Sequence, residues 1–207
     1  MEKATVKQMV PQQEDGKSIT AESRVELAGH RKAILFYNIA KERLQQVHKW
    51  HEMAGALSAR FTLIDKNGME VNRPPEPGDY FRVDIPGPGR VNGEGYDWVR
   101  VEKVVNQILP NSEIYGFQVR PARDPEKKDE DIAHFFSSDS TSSFFVHRNG
   151  HIVSAFVFDR NIKPNKDAGN IVDKIRDMMT GSAGMLIFSK LQWKALTEGL
   201  LQGAAQK

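Results

Sequence analysis

Gly78-Asp79-Tyr80-Phe81-Arg82-Val83-Asp84-Ile85-Pro86-Gly87-Pro88-Gly89, running on to Gly93-Glu94-Gly95-Tyr96-Asp97-Trp98-Val99-Arg100-Val101-Glu102, is the stretch on which the fold turns. Apolar and polar residues alternate on either side of a connection too long and too glycine-rich for a tight hairpin. That pattern reads as two strands holding a loop between them. Residues 86–95 hold two prolines, four glycines, Arg90, Asn92 and Glu94. Long irregular loops carried by sheets are where binding surfaces gather. This loop matches no nucleotide, metal or nucleophile signature; its glycines lead into a strand rather than a helix N-terminus, where phosphate is held.

Working outward, the period of two continues. Arg60 to Asp65 reads as a strand, Lys66-Asn67-Gly68 as a turn, and Met69-Glu70-Val71 as its return. Pro74, Pro75 and Pro77 then interrupt any ladder. Downstream, strands are expected over 97–108 and 113–120, joined at Pro110-Asn111-Ser112. A charged connection over 122–131 follows. Ser143–His147 and His151–Phe158 then form a second hairpin around Asn149-Gly150, with positions 148 and 151 expected to pair.

Helical periodicity flanks the strands. From His30 to Leu57 one apolar stripe runs through Phe36, Ala40, Leu44, Val47, Trp50 and Ala54. Near the C-terminus, Ile171, Val172, Ile175, Met178 and Met179 share a face. After Gly181-Ser182-Ala183-Gly184, a last helix carries Leu186, Ile187, Leu191, Leu196 and Leu200, with Trp193 off its stripe. Residues 1–22 carry few large apolar groups and read as a flexible leader. The expected fold is α+β: an antiparallel, strongly curved sheet or partial barrel packed against a long N-terminal helix and two C-terminal helices. Residues 23–207 form one domain, and 122–132 is where an internal division would fall.

Composition narrows the function classes. Of 207 residues, 39% are hydrophobic and 27% charged, which suits a soluble globular chain. With 29 Lys+Arg against 27 Asp+Glu, the net charge of +2 gives little pull toward nucleic acid. There is no cysteine, which excludes disulfides, thiolate nucleophiles and zinc-thiolate sites. No apolar run approaches the roughly 18 residues of a membrane span, and the N-terminus shows no signal-peptide core. The expected compartment is the cytoplasm, with no cofactor and no metal.

His48, His51 and Glu52 would share a face of the long helix, but Arg43 and Lys49 beside them oppose a cation. His147 and His151 flank the second turn and read as turn-exposed; His134 precedes Phe135-Phe136. The run Ser137–Ser143 has no base or elbow motif around it and reads as a strand-entry loop. Arg90, Tyr96 and Trp98 are candidates for contacting a partner. His134, His147, Asp159 and Arg160 are candidates for the polar groups of a pocket.

Three functions follow. The first is a non-enzymatic binding or assembly protein, joined to a protein partner or to itself through the last helix. The second is a pocket for a small apolar ligand, or a catalytic pocket, using the His/Asp/Arg groups near the second hairpin. The third, less favoured by charge, is single-stranded nucleic-acid binding by Tyr96 or Trp98 among the arginines.

Overall fold

The computed structural model describes residues 6–55, 58–85, 96–126, 134, 136–165 and 182–204. Seven antiparallel strands make one sheet: β1 (Lys17–Glu26), β2 (Arg60–Ile64), β3 (Tyr80–Asp84), β4 (Asp97–Leu109), β5 (Ser112–Pro121), β6 (Thr141–Asn149) and β7 (Ile152–Ile162). Their spatial order is β1-β7-β6-β5-β4-β3-β2. The helices are α1 (His30–Gln45), α2 (Trp50–Ala54) and α3 (Ser182–Leu200), with a 3₁₀ turn at Val47–Lys49 before α2. No helix among the described residues is long and apolar enough to cross a membrane.

The α+β architecture follows from the alternation. Phe81, Val83, Val99, Val101, Phe117 and Phe144 point to one face, and the helices cover it. A register shift between Val101 and Lys103 keeps the long β4 in phase with β5 beyond the bulge. The strands before and after residues 122–132 pair directly, β5 with β6, so both strand groups share one sheet.

The sheet stays open, which corrects the expected strongly curved or barrel-like form. β1 and β2 are its two edges. Helices α1 and α3 pack on β6, β7 and β1, while the 3₁₀ turn and α2 pack on β2. That layer fills the face across which the edges would have to meet.

The long N-terminal helix is also corrected. It ends at Gln45, and Gln46 adopts φ −85°, ψ 65°. Leu44–Val47–Trp50 takes two successive three-residue steps, a drift of about 120° around a straight helix. An unbroken helix would turn Trp50 away from the sheet. The break aims it inward, and its Nε1 donates to the Leu44 carbonyl at 3.2 Å. That carbonyl is one the interrupted helix leaves without its backbone donor. His48 and His51 thereby fall on different elements.

The expected leader is corrected from Val6 onward. Ile19 and Ala21 alternate with Ser18, Thr20 and Glu22, and β1 pairs along β7 from Lys17 to Glu26. Ahead of it, Asn161 at φ 54° clasps the chain. Its Oδ1 accepts from the Glu14 and Asp15 amides at 2.8 and 3.3 Å, and its Nδ2 donates to the Gln12 carbonyl at 3.1 Å. Asparagine tolerates this left-handed backbone better than most residues. Val6 is then fully buried against Ile114, Phe145, Phe156 and Phe158 on the sheet's other face.

In the second hairpin, Asn149 pairs with Ile152, one residue later than expected. Gly150 at φ 61° and His151 therefore form the turn. Of the two C-terminal helices, only α3 falls among the described residues; the stripe Ile171–Met179 lies outside them.

Trp50→Ala is expected to cost about 3–5 kcal/mol in urea unfolding, the usual range for emptying a large aromatic site. Gly116→Ala is expected to cost about 1–3 kcal/mol, because an added Cβ would run into the Phe145 ring and the Phe144 carbonyl.

Candidate functional site

A recess lies between α3 and the helix-facing side of the sheet. Phe61, Phe81, Val99, Val119 and Phe144 form its sheet wall, and Phe188, Ser189, Gln192 and Trp193 close it from α3. The recess has a cavity volume of about 60 Å³ and opens to solvent. Ile85, Phe136 and Phe188 are half-buried around the mouth, whereas Val119, Phe144, Asp159 and Trp193 are buried.

The floor is held by an aromatic lattice. Trp193 stands edge-on to Phe144, with centroids 5.2 Å apart, and tilts against Phe61 at 6.2 Å. Its Nε1 donates to Asp159 Oδ2 at 2.8 Å. Asp159 Oδ1 has no hydrogen-bond partner among the described residues. The Ser142 hydroxyl, on the residue paired with Asp159 across β6–β7, favours the charged form but makes no well-formed bond to that oxygen. Burial pushes the Asp159 carboxyl up to about 6, against the pull of Ser142, Trp193 and Arg160. Leaving a buried acceptor open costs about 1–3 kcal/mol, and more for a charged group.

His134 lines the same recess. Its Nδ1 accepts from the Phe136 amide at 2.9 Å, and its carbonyl accepts from Asn165 Nδ2 at 3.0 Å. Burial lowers its pKa to about 3. The imidazole is neutral at physiological pH and a weak base.

Of the four pocket candidates, the structure brings together His134 and Asp159. His147 and Arg160 lie on the other face. His147 is 2% exposed rather than turn-exposed. Its Nε2 is 2.9 Å from Ser112 Oγ, and burial together with Arg148 lowers its pKa to about 4. Parity explains the separation: His147 shares its face with Phe145, and Asp159 shares its own with Val157. Arg160, one residue beyond Asp159, donates to the Ile19 carbonyl at 3.0 Å and stands over the Phe158 ring at 5.1 Å.

The partner-contacting candidates fare differently. Arg90 lies outside the described residues. Trp98 is 5% exposed, so its ring is not free to stack on a base, which corrects the basis of the nucleic-acid reading. Tyr96 already carries the Arg82 guanidinium 5.0 Å from its ring centre. The serine run serves strand entry, with Ser140 Oγ donating to the Asn161 carbonyl at 3.1 Å.

Sequence reasoning missed Trp193 and Gln192 as site residues. The signal was Trp193's place off the apolar stripe. Gln192 Oε1 accepts from the buried Ala59 amide at 2.7 Å, tying α3 to the start of β2. Among the described residues no three acidic or histidine side chains are grouped to hold a metal ion.

No family model and no curated protein matches the chain. Among solved structures, a hypothetical protein from Helicobacter pylori gives a TM-score of 0.49 at 10% identity, over 91% of this chain and 88% of its own. Truncated norcoclaurine synthase from Thalictrum flavum gives 0.38 at 9% identity, over 93% of this chain and 99% of its own. A conserved protein from Geobacillus kaustophilus gives 0.36 at 9% identity, over 88% and 95%. Likenesses at these scores carry no weight for function, and the site rests on its own residues.

The raised carboxyl has a stability consequence. Relative to an ordinary value of 3.8, a native value of about 6 means the folded chain holds this proton more tightly than the unfolded chain. The stabilisation is full below about pH 4 and is lost as pH rises through about 6. Wild-type stability measured against Asp159→Asn should therefore fall by up to about 3 kcal/mol between about pH 4 and about pH 7 in urea titrations. His134 and His147 act with the opposite sign, losing stability on acidification, and cancel in this comparison. A difference independent of pH would overturn the assignment to Asp159.

Proposed function

We propose that this chain is a binding protein that takes a small, mostly apolar ligand in the recess between α3 and the sheet. The observation that carries the reading is an apolar chamber lined by Asp159, a buried carboxylate with one oxygen unpaired among the described residues. Ligand sites typically combine an apolar lining with a few placed polar groups. A catalytic reading fits less well, because His147 and Asp159 point to opposite faces and the His134 imidazole is a poor base near neutrality.

Toluene serves as a probe of the chamber itself. It is expected to raise the thermal midpoint of the wild-type chain in proportion to its occupancy. Ser189→Leu would crowd the recess from α3 and is expected to remove that shift. Equal shifts in both proteins, or none in either, would overturn the reading.

Self-association is a second reading, favoured by one observation. Ile187 and Leu191 are 60% and 66% exposed, one turn apart, on the side of α3 away from Trp193 and Leu196. Sedimentation of the wild-type chain as a dimer, and of Ile187→Glu/Leu191→Glu as a monomer, is the outcome this reading expects. A monomeric wild type would dismiss it.

A further inference from the structure

Among the described residues, Asp159 is the one carboxylate lining the recess. It is 3% exposed, with one oxygen bonded to Trp193 and the other open. A carboxylate accepts hydrogen bonds at both oxygens, about four lone-pair sites in all. The nearest cation in sequence does not supply the missing donor. Arg160 spends its guanidinium on the Ile19 carbonyl, the Thr20 hydroxyl and the carbonyl of Asp159 itself. His134 presents Nδ1 to the Phe136 amide as an acceptor.

We propose that the ligand of this recess is a small primary amine with an apolar body, whose ammonium group donates to Asp159 Oδ1. This rests on the reading of the recess as a ligand site. The recess, of about 60 Å³ and open to solvent, suits an aminomethyl head, with a ring or short alkyl body reaching out through its mouth. A neutral alcohol would satisfy the same oxygen, but a charge-assisted bond is roughly twice as strong as a neutral one. An ammonium entering an apolar chamber needs a buried counter-charge, and Asp159 provides it. An anion would meet repulsion at the same place.

The test uses three compounds with one ring: benzylamine, benzyl alcohol and toluene, titrated calorimetrically into the full chain. Benzylamine is expected to bind at least about tenfold more tightly than toluene, with benzyl alcohol between them. Asp159→Asn is expected to erase the preference for benzylamine over benzyl alcohol.

A pH series on the wild-type chain keeps the test decisive if the variant folds poorly. Benzylamine affinity should fall as pH drops through about 6 and Asp159 takes up its proton, while toluene affinity stays level. Among the described residues, the groups that pair with Asp159 or line the recess with polar atoms beside it are Ile19 from β1, Ser142 from β6, Ser189, Gln192 and Trp193 from α3, and His134. Of these, His134 alone titrates, near 3 and below the window; Arg160 stays charged throughout. Toluene and benzylamine binding alike would overturn the amine and leave the chamber standing as a ligand site. So would a benzylamine preference indifferent to both pH and Asp159→Asn. No binding by any of the three would overturn both.

Discussion

Trp50 sits where the layers of this protein meet. Its ring lies 4.9 Å from Phe144, 5.1 Å from Phe61, 6.0 Å from Phe117 and 6.2 Å from Phe81, so four strands converge on one indole. Reaching that position costs the chain a continuous helix, because Gln46 must leave the helical backbone. The gain is a large buried aromatic surface with its one polar atom bonded to the Leu44 carbonyl. From there the lattice extends through Phe144 and Phe61 to Trp193, and through Trp193 to Asp159. The site is thus mounted on the core.

Close backbone approaches fix the same arrangement. A Cβ on Gly199 would stand 2.7 Å from the Met53 carbonyl oxygen, so α3 can lie against the end of α2 only without a side chain there. Arg43 reaches from α1 to the carbonyls of Leu200 and Gln202 at 3.1 and 2.7 Å, where a helix C-terminus favours positive charge. These contacts set how far α3 stands from the sheet, and so how wide the recess can be.

Much of the sheet was legible in the sequence because period-two alternation is a local signal. The strands on either side of Asn149-Gly150, and the α+β class, follow from it. The first strand escaped because it lies at the sheet edge. Ile19 and Ala21 are modest apolar groups among polar neighbours, and their partners on β7 lie about 140 residues away. The helix break escaped because Val47 and Trp50 satisfy a periodic stripe on paper, and only the position of the aromatic core shows that the stripe drifts. Parity was legible in principle for the pocket candidates. Asp159 and Arg160 are adjacent in sequence, so on a strand they must face opposite ways. What no local pattern could show is that Trp193, from a helix at the far end of the chain, would take the place beside Asp159 that Arg160 cannot.

That substitution of partner defines the chemistry of the site. Had a cation met Asp159 from inside, the pair would have been closed, with both charges satisfied and little left to offer a ligand. An indole N–H is neutral and supplies a single bond. It orients the carboxylate and leaves net charge behind. For stability alone this is a poor choice, since an apolar residue of similar volume avoids the desolvation cost of a buried charge. The fold can bear that cost because the aromatic lattice around it is extensive and its helices are anchored by independent contacts. In this chain the costly group is a carboxylate in the lining of an apolar recess, with one oxygen unpaired among the described residues.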